Sequence, residues 1–389
     1  MDFNTLVTDG RSLAALAIIR SLSRKGYTIH CGESFKHNLS SYSKYVDGRV
    51  KYPDPEDDPD GFVEYLHAGC EQEGYDLVVP VRDHTTILLS KYRETLSEVT
   101  NVFVAPYDVL DPLMDKGETV KIAQRADVPT PDTWFPEETP LEQICDAVEY
   151  PVLVRPRRSS GSRGIQYVED PEEFDEAVDL VSSQYGTPMI QEYIEKCGYT
   201  TACVLFDREQ RTVGEFSYER VKEYPLSGGP TVVGESTDDR EAKTYAKQLL
   251  REAGWMGPAE VEFIIDQNGT PRLLEVNPRF WMPVQLAISA GVDFPTLISR
   301  LAAGDEPDPV TEYETELTYR WVLPNEILWA MNADSTWDGM RDLVQFDRSS
   351  QCYGSLSIRD PKPVLGTVAQ SLRFLTDPEK RRFIFDRGW

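Results

Sequence analysis

The 389-residue chain is poor in histidine and cysteine, and both shortages exclude kinds of site. Its four histidines all lie within the first 84 residues, so chemistry centred later in the chain has to work without histidine. This excludes histidine-rich zinc sites and Ser-His-Asp triads from the later part. The six cysteines form no Cys-x-x-Cys pair, so we expect reduced thiols rather than a disulfide framework.

Long apolar stretches are also missing. The longest apolar runs are short, such as Leu77–Val81, and none approaches the ~20 residues of a membrane helix. The N-terminus lacks both a basic region and a long apolar region, so we expect no signal peptide, a cytoplasmic location and no membrane partner. Hydrophobic residues still make up 40% of the chain, which supplies a sizeable core and excludes disorder as the main state.

Positive charge is scarce. The chain has 40 basic and 66 acidic residues, a formal net charge of −26, and only 13 of the basic residues are lysine. A nucleic-acid-binding protein needs a basic footprint, so we expect no nucleic-acid partner. High acid content with little lysine is typical of proteins from salt-loving archaea, because salt screens the repulsion. An acidic surface for a basic partner is disfavoured, because the acids are spread along the whole chain.

The N-terminal part of the chain alternates short strands with helices. Apolar runs predict strands at residues 4–8, 27–31, 77–81 and 102–105. Residues 12–25 carry leucine and isoleucine at helical spacing. This alternation predicts a parallel sheet in a doubly wound α/β domain over residues 1–105. The turn after the first strand does not match Gly-x-Gly-x-x-Gly, so no dinucleotide site is predicted.

The segment with the most chemical content is Val261–Arg279. Asn268-Gly269 lies between two apolar runs, which is typical of a hairpin, and a two-residue turn there would place Glu262 directly opposite Glu275. Period 2 puts Asn277 on the same face as Glu275. Facing carboxylates repel, and carboxylate and amide oxygens suit a hard cation, so the pattern predicts a Mg²⁺ (or Mn²⁺) site.

A solvated acidic hairpin in an acidic protein is the alternative reading of this segment. Pro271 fits poorly inside a ladder, and a slip of one residue would send Glu262 and Glu275 to opposite faces. A second signal is the Ser/Gly loop after the strand at Pro151–Arg155, where four arginines fall within nine residues. Such loops cradle phosphate oxygens through backbone N–H groups. This one is not a Walker A loop, and a flexible hairpin loop is its alternative.

Taken in order, these segments resemble the ATP-grasp superfamily, in its carbamoyl-phosphate-synthase-like and carboxylate–amine ligase branch. The resemblance rests on the basic strand, the Gly-rich loop, Gln191–Ile194 and Leu274–Arg279, and it covers about residues 1–305. It implies an α/β (α+β) ATP-grasp fold over residues 106–310, with a lid at about 130–192, after a pre-ATP-grasp domain over 1–105. Residues 311–389 lie outside it, as an appendage of unknown role.

The resemblance implies a role for each matching position. Mg²⁺ would be held by Glu262, Glu275 and Asn277. The transferred phosphoryl group would be stabilised by Arg279 and Arg155. ATP would be contacted by Lys116, Arg155, Ser160, Gly161, Ser162 and Gly164, and its adenine by Gln191, Glu192, Tyr193 and Ile194. The chain departs from the pattern at Tyr199, where relatives often place a glutamate that holds the ribose.

The acceptor site is less well specified. The Gly/Pro loop Lys222–Thr231 corresponds to a loop near substrate in relatives, so Ser227, Gly228 and Gly229 are candidates, with an ordinary surface turn as the alternative. Arg82-Asp83-His84 follows a strand at the edge where parallel sheets open and is a candidate to face the substrate, with a helix-starting loop and a solvated histidine as the alternative. As a whole, the resemblance implies an ATP- and Mg²⁺-dependent ligase that converts a small-molecule carboxylate to an acyl phosphate and couples it to an amine.

Two other functions stay open. One is carboxyphosphate chemistry with bicarbonate, and the other is an ATP-binding scaffold or sensor without catalysis. Glu262, Glu275, Asn277 and Arg279 disfavour the sensor, whereas Tyr199 favours it. Many relatives dimerise, so a homodimer is expected by analogy.

Overall fold

The computed structural model describes residues 3–159, 163–226, 228–333, 339, 341, 343 and 350–376. These residues form three sheets of five, four and seven strands, with helices packed around them. Within these ranges, no helix has both the length and the apolar character needed to cross a membrane. The mixed α/β architecture agrees with the predicted fold class.

The N-terminal sheet is fully parallel, with the strand order β3-β2-β1-β4-β5. Ser12 caps the first helix by accepting a hydrogen bond from Ala14 N, and the helix buries its leucine and isoleucine residues. The predicted alternation of strands and helices is confirmed. Its elements are β1 (Asn4–Val7), α1 (Leu13–Arg24), β2 (Thr28–Glu33), β3 (Gly48–Lys51), α2 (Pro59–Glu73), β4 (Leu77–Val79), α3 (Asp83–Lys91), α4 (Arg93–Leu96) and β5 (Asn101–Val102).

Two helices lead into a small antiparallel sheet with the order β6-β9-β7-β8. This sheet has its own apolar core, in which Phe174, Val181 and Ile190 are buried. The elements are α5 (Tyr107–Leu113), α6 (Lys116–Arg125), β6 (Thr133–Trp134), α7 (Leu141–Ala147), β7 (Val152–Pro156), β8 (Gln166–Val168), α8 (Phe174–Tyr185) and β9 (Pro188–Glu192). The elements from β6 to β9 fall within the residues predicted as a lid, whereas α5 and α6 precede them.

The large sheet runs in the order β14-β13-β10-β11-β12-β15-β16. The amphipathic helix α9 packs on β10, and the core beneath includes Trp255, Phe263 and Trp281. The elements of this region are β10 (Gly198–Phe206), β11 (Thr212–Glu223), β12 (Thr231–Thr237), α9 (Arg240–Glu252), β13 (Gly257–Ile265), β14 (Pro271–Asn277), α10 (Val284–Ala290) and α11 (Phe294–Ala302).

The C-terminal segment packs against both other parts of the chain. It adds β15 (Thr318–Arg320), α12 (Ile327–Asn332), β16 (Gln351–Tyr353) and α13 (Pro363–Thr376). Strand β15 pairs with β12, and a buried ion pair joins Asp360 to Arg20 of α1 at 2.9 Å. The segment therefore extends the large sheet and contacts helix α1 of the N-terminal region. The domain limits at 105 and 310 stay a prediction.

Candidate functional site

Strands β13 and β14 form the acidic hairpin on which the candidate site is built. Glu262 pairs in register with Glu275, as predicted, and Glu260 pairs with Asn277 two residues further along. Because period 2 returns a side chain to the same face, three carboxylates and one amide share one face of the ladder. This face belongs to the large sheet and is largely buried, with Glu260 only 4% exposed.

The turn that produces this register is not the predicted one. The ladder ends at Ile265 and Pro271, so the loop has five residues rather than the two of Asn268-Gly269. Asp266 accepts hydrogen bonds from the backbone N–H groups of Asn268 and Thr270, both at 2.9 Å, which stabilises the longer loop. A β-bulge next to Glu262 then shifts the ladder by one residue, and this shift places Glu262 opposite Glu275. Pro271 begins its strand, where a missing N–H is tolerated.

Cations and one amide surround the hairpin acids. Lys116 Nζ lies 3.2 Å from Glu275 Oε2, and Arg220 forms an ion pair with Glu262. The side-chain amide of Asn277 donates to Glu260 Oε2 and to Glu262 Oε1, both at 3.0 Å. The repulsion between facing carboxylates is therefore offset by side chains from other parts of the chain.

The hairpin acids have pKa values displaced in opposite directions. Burial and the neighbouring Glu262 raise the pKa of Glu260 to about 8. Burial also raises the pKa of Glu262, although Arg220 opposes the shift. Burial acts the same way on Glu275, but the charges of Lys116 and Arg155 outweigh it and lower its pKa. Glu275 is thus the acid of this face that is most strongly favoured in its ionised form.

Arg279 follows β14 and makes three kinds of contact. Its Nε pairs with Asp83 Oδ1 at the start of α3, its Nη2 donates to Asn277 Oδ1 at 2.9 Å, and its Nη1 donates to the backbone oxygen of Phe280 at 2.8 Å. Burial lowers the pKa of Arg279, but the charge of Asp83 outweighs this and raises it. The predicted phosphoryl-stabilising residue therefore contacts one predicted metal ligand directly.

Lys116 and Arg155 connect the hairpin to the small sheet. Lys116 Nζ, besides its contact with Glu275, donates to the backbone oxygen of Ser159 at 2.6 Å. Arg155 lies on β7, is fully buried and pairs with the side chain of Gln191 on β9. Burial lowers its pKa, although the charge of Glu275 opposes this. Among the described side chains, the Nε atoms of Arg155 and Arg220 are buried without a hydrogen-bond partner.

The predicted adenine-binding segment runs along and beyond the end of β9. Gln191 is buried and also donates to Thr133 at 3.0 Å, and Glu192 accepts from the backbone N–H of Asp132 at 3.0 Å. Tyr193 is half-exposed with its ring on Tyr167, and Ile194 is buried. Backbone and side chains are thus fixed at Gln191 and Glu192.

The predicted acceptor residues lie in different environments. Gly229 O accepts a hydrogen bond from Arg220 Nη1 at 3.2 Å, and a Cβ at Gly229 would lie 2.3 Å from the backbone oxygen of Tyr224. Gly228 has φ of 121°, which favours glycine. The side chain of Arg82 is exposed at the start of α3. The predicted lid residue Gly164 also has a positive φ, 75°. Ser160, Gly161, Ser162 and Ser227 lie outside the described residues.

Two residues of this site were not predicted from the sequence: Arg220 and Glu260. Glu260 could have been found, because it lies two residues before Glu262 and period 2 puts both on one face. Arg220 carries no local signal. Asp83 lies in the predicted substrate-facing loop with Arg82, but its contact with Arg279 was not predicted. Tyr199, the position that departs from the family pattern, lies between two cations, with Lys196 Nζ 4.9 Å and Arg220 Cζ 4.8 Å from its ring centre.

The predicted ligands Glu262, Glu275 and Asn277 offer the oxygen donor atoms that a hard cation such as Mg²⁺ prefers. They supply two facing carboxylates and one amide, all oxygen donors, on adjacent strands. In the part of the chain that the structure describes, no group of three or more His, Cys, Asp or Glu side chains has metal-binding geometry. A cation here would therefore need ligands beyond two carboxylates, and Lys116 and Arg220 would have to release them.

Comparison with known proteins finds similarity in the part of the chain that contains the acidic hairpin. Residues 113–283 match the ATP-grasp domain family. The chain is 25% identical to the propionyl-CoA carboxylase alpha chain of Ruegeria pomeroyi over 61% of this chain and 37% of that protein. It is 25% identical to a D-alanine–D-alanine ligase of Pelotomaculum thermopropionicum over 48% of this chain and 66% of that protein. The chain thus spans less than two thirds of either relative.

Solved structures share the fold over more of the chain. A biotin carboxylase complex from Campylobacter jejuni superposes with a TM-score of 0.69 and 18% identity, covering 82% of this chain and 74% of that one. An N5-carboxyaminoimidazole synthetase from Staphylococcus aureus, complexed with ADP, superposes with a TM-score of 0.64 and 15% identity, covering 82% of both chains. The chain therefore has an ATP-grasp fold.

Proposed function

We propose that this protein is an ATP- and Mg²⁺-dependent ligase that activates a small-molecule carboxylate as an acyl phosphate and couples it to an amine. The observation that carries the proposal is the register of Glu262 with Glu275, with Asn277 on the same face and Lys116, Arg155 and Arg279 close by. Such a reaction needs charge neutralisation and positioning rather than a protein nucleophile. The absence of histidine after residue 84 is compatible with this chemistry.

In this proposal, Glu262, Glu275 and Asn277 hold Mg²⁺, which supplies charge neutralisation at the phosphate oxygens when bound. The cations that now pair with the acids take a second role. Lys116, held by Glu275 at 3.2 Å, would exchange that contact for a phosphate oxygen. Arg155 and Arg279 carry fixed guanidinium groups for the transferred phosphoryl group. Long cationic side chains allow this exchange without moving the strands.

The remaining nucleotide contacts are also proposals. Residues 160–164 would cover the phosphates, and Gln191–Ile194 would contact the adenine. Because Tyr199 stands where relatives often have a ribose-binding glutamate, the ribose would meet a phenol between Lys196 and Arg220. For the acceptor, we retain Arg82 and the loop with Ser227, Gly228 and Gly229. The contact of Gly229 with Arg220 supports a place for this loop beside the hairpin. A homodimer stays a proposal by analogy.

Two observations favour other functions. The similarity to biotin carboxylase and to N5-carboxyaminoimidazole synthetase favours carboxyphosphate chemistry with bicarbonate. The environment of Tyr199 favours an ATP-binding sensor without turnover. Against a sensor, the predicted metal ligands and Arg279 all lie together.

The test measures ADP and phosphate release with Mg²⁺ and ATP at high salt, which the net charge of −26 calls for. Carboxylates are screened with and without amines, with bicarbonate as a separate arm. Glu275→Gln is the inactive variant, and Glu176→Gln, an exposed acid in the first turn of α8, is its control. Release that needs a carboxylate and an amine, and that only Glu275→Gln abolishes, supports the ligase. Release with bicarbonate alone supports carboxyphosphate formation, and nucleotide binding without release supports the sensor.

A further inference from the structure

An ion pair between Asp83 and Arg279 connects helix α3 of the N-terminal region to the candidate phosphoryl site. Asp83 is the first residue of α3, directly beyond the carboxyl end of β4, and its Oδ1 accepts from Nε of Arg279, 196 residues further along the chain. The arginine side chain is 19% exposed and the aspartate side chain 31%. A pair with this burial is screened less than a surface pair.

The other contacts of Arg279 are local. Nη2 reaches Asn277 two residues earlier, and Nη1 reaches the backbone of Phe280, the next residue. Both would move with β14, so neither fixes the guanidinium relative to the rest of the molecule. Asp83 is therefore the contact, among the residues that the structure describes, that holds the Arg279 guanidinium from a part of the chain other than β14 and the residues next to it.

Asp83 is itself held in place by a rigid structure. The turn before it is fixed by Asp9, whose Oδ2 accepts from the backbone N–H of Arg82 at 3.0 Å and from the hydroxyl of Thr85 at 2.6 Å. Asp83 also stands at a helix N-terminus, where a negative charge is favoured. Burial raises the pKa of Asp83, but the charge of Arg279 outweighs this and lowers it, so the carboxylate stays ionised.

We infer that Asp83 is a positioning residue: it fixes the guanidinium of Arg279 for contact with the terminal phosphate of the nucleotide. The N-terminal domain would then act in the phosphoryl step and not only in acceptor binding. This inference rests on the proposed function, because it takes Arg279 to contact the phosphoryl group.

The test compares affinity for ADP with affinity for a non-hydrolysable ATP analogue, both with Mg²⁺, by calorimetric titration. The two ligands differ in the terminal phosphate, so their affinity ratio reports on the group that Arg279 contacts. We expect Arg279→Lys and Asp83→Asn each to lower the wild-type preference for the ATP analogue by about 10-fold and to leave ADP affinity unchanged. In the double variant, the preference for the ATP analogue should be no lower than in Arg279→Lys alone, since both substitutions remove the same interaction.

Two variants act as controls. Asp83→Glu keeps the charge and should restore part of the preference. Asp108→Asn removes an exposed acid from the first turn of another helix, α5, and should leave both affinities unchanged. A change of similar size in both affinities, or an unchanged ratio in Asp83→Asn while Arg279→Lys loses it, would overturn the positioning role alone. A wild-type protein that binds neither nucleotide would overturn the proposed function and this inference together.

Discussion

Carboxylates in two of the buried regions that the structure describes have different kinds of partner. At the end of β1, Asp9 Oδ2 accepts from the hydroxyls of Thr8 and Thr85, each at 2.6 Å, and from the backbone N–H groups of Val81 and Arg82. All four donors are neutral, and two belong to the backbone. On the hairpin, Glu262 and Glu275 face the long cationic side chains of Arg220 and Lys116 instead.

The difference separates a structural acid from exchangeable ones. Fixed neutral donors surround Oδ2 of Asp9, and they cannot leave it without disrupting the turn. Lysine and arginine can swing from a carboxylate to a phosphate at little structural cost, and the acids are then released to a metal ion. The comparison therefore predicts that acids of the first kind set stability, whereas acids of the second kind set nucleotide chemistry. Four substitutions test this division.

The largest effect is expected for Glu275→Gln. Loss of this carboxylate should lower Mg²⁺-dependent phosphate release at least ~100-fold, because the metal loses a charged ligand. Metal-free ADP binding should stay the same or tighten, because Lys116 no longer has an acid to pair with. Release assays and calorimetry without metal measure the two quantities. Weaker metal-free binding would show that Glu275 supports the fold rather than the metal.

Asp9→Asn should show the reverse pattern. All four hydrogen bonds converge on Oδ2, and a neutral amide oxygen accepts them more weakly than a carboxylate oxygen, so the free energy of unfolding should fall by about 3 kcal/mol. Asparagine tolerates the positive φ of 59° at this position, so backbone strain adds little. Urea unfolding measures the loss, and affinity for ADP below the transition should stay unchanged. A stable variant with weakened ADP binding would reverse the roles of the two regions.

Glu260→Gln should change how stability depends on pH. Burial and Glu262 raise the pKa of Glu260 from 4.5 to about 8, so the folded state keeps a proton that the unfolded chain releases. Stability should therefore fall as the pH rises from about 4.5 to 8, and glutamine should remove this contribution, which is of the order of several kcal/mol. Urea unfolding of both proteins at pH 5 and pH 8.5, with a chelator present, makes the measurement. Parallel pH profiles would show that Glu260 is ionised in the native state.

The smallest effect is expected for Thr201→Val. Thr201 pairs in register with Glu262, and its hydroxyl is buried without a hydrogen-bond partner among the described residues. Valine has nearly the same shape as threonine, so the free energy of unfolding should fall by less than ~0.5 kcal/mol or should rise. Thermal unfolding measures this change. A clear loss of nucleotide affinity would instead show that this face also uses a fixed neutral donor.

Local patterns predicted the N-terminal sheet and the pairing of Glu262 with Glu275. The strand pattern succeeds because alternating strands and helices leave few topologies for a sheet. The pairing was predicted through the wrong turn, and the bulge beside Glu262 compensated for it. A bulge of this kind has no reliable sequence signal, whereas Glu260 followed from the same period and was overlooked.

The cations around the hairpin could not be predicted in full. Lys116 was assigned through the family resemblance, but its contact with Glu275 joins residues far apart in the chain. Arg220 reaches Glu262 across β10, and Asp83 reaches Arg279 from the start of α3, so both contacts depend on the three-dimensional fold. Local periodicity carries no information on such contacts. The C-terminal strand β15, which extends the large sheet, lies outside the resemblance for the same reason.

The most direct test of the exchange between cations and metal is Mn²⁺ binding followed by electron paramagnetic resonance, with and without ADP. Phosphate oxygens should draw Lys116 and Arg220 from the acids. ADP should therefore raise the affinity of the protein for Mn²⁺ at least ~10-fold. A protein-free sample of Mn²⁺ with ADP measures how much Mn²⁺ the nucleotide binds by itself, and this part is subtracted. Glu275→Gln should lose this gain, and Glu176→Gln should keep it. Equal Mn²⁺ affinity with and without ADP, or an undiminished gain in Glu275→Gln, would contradict the account.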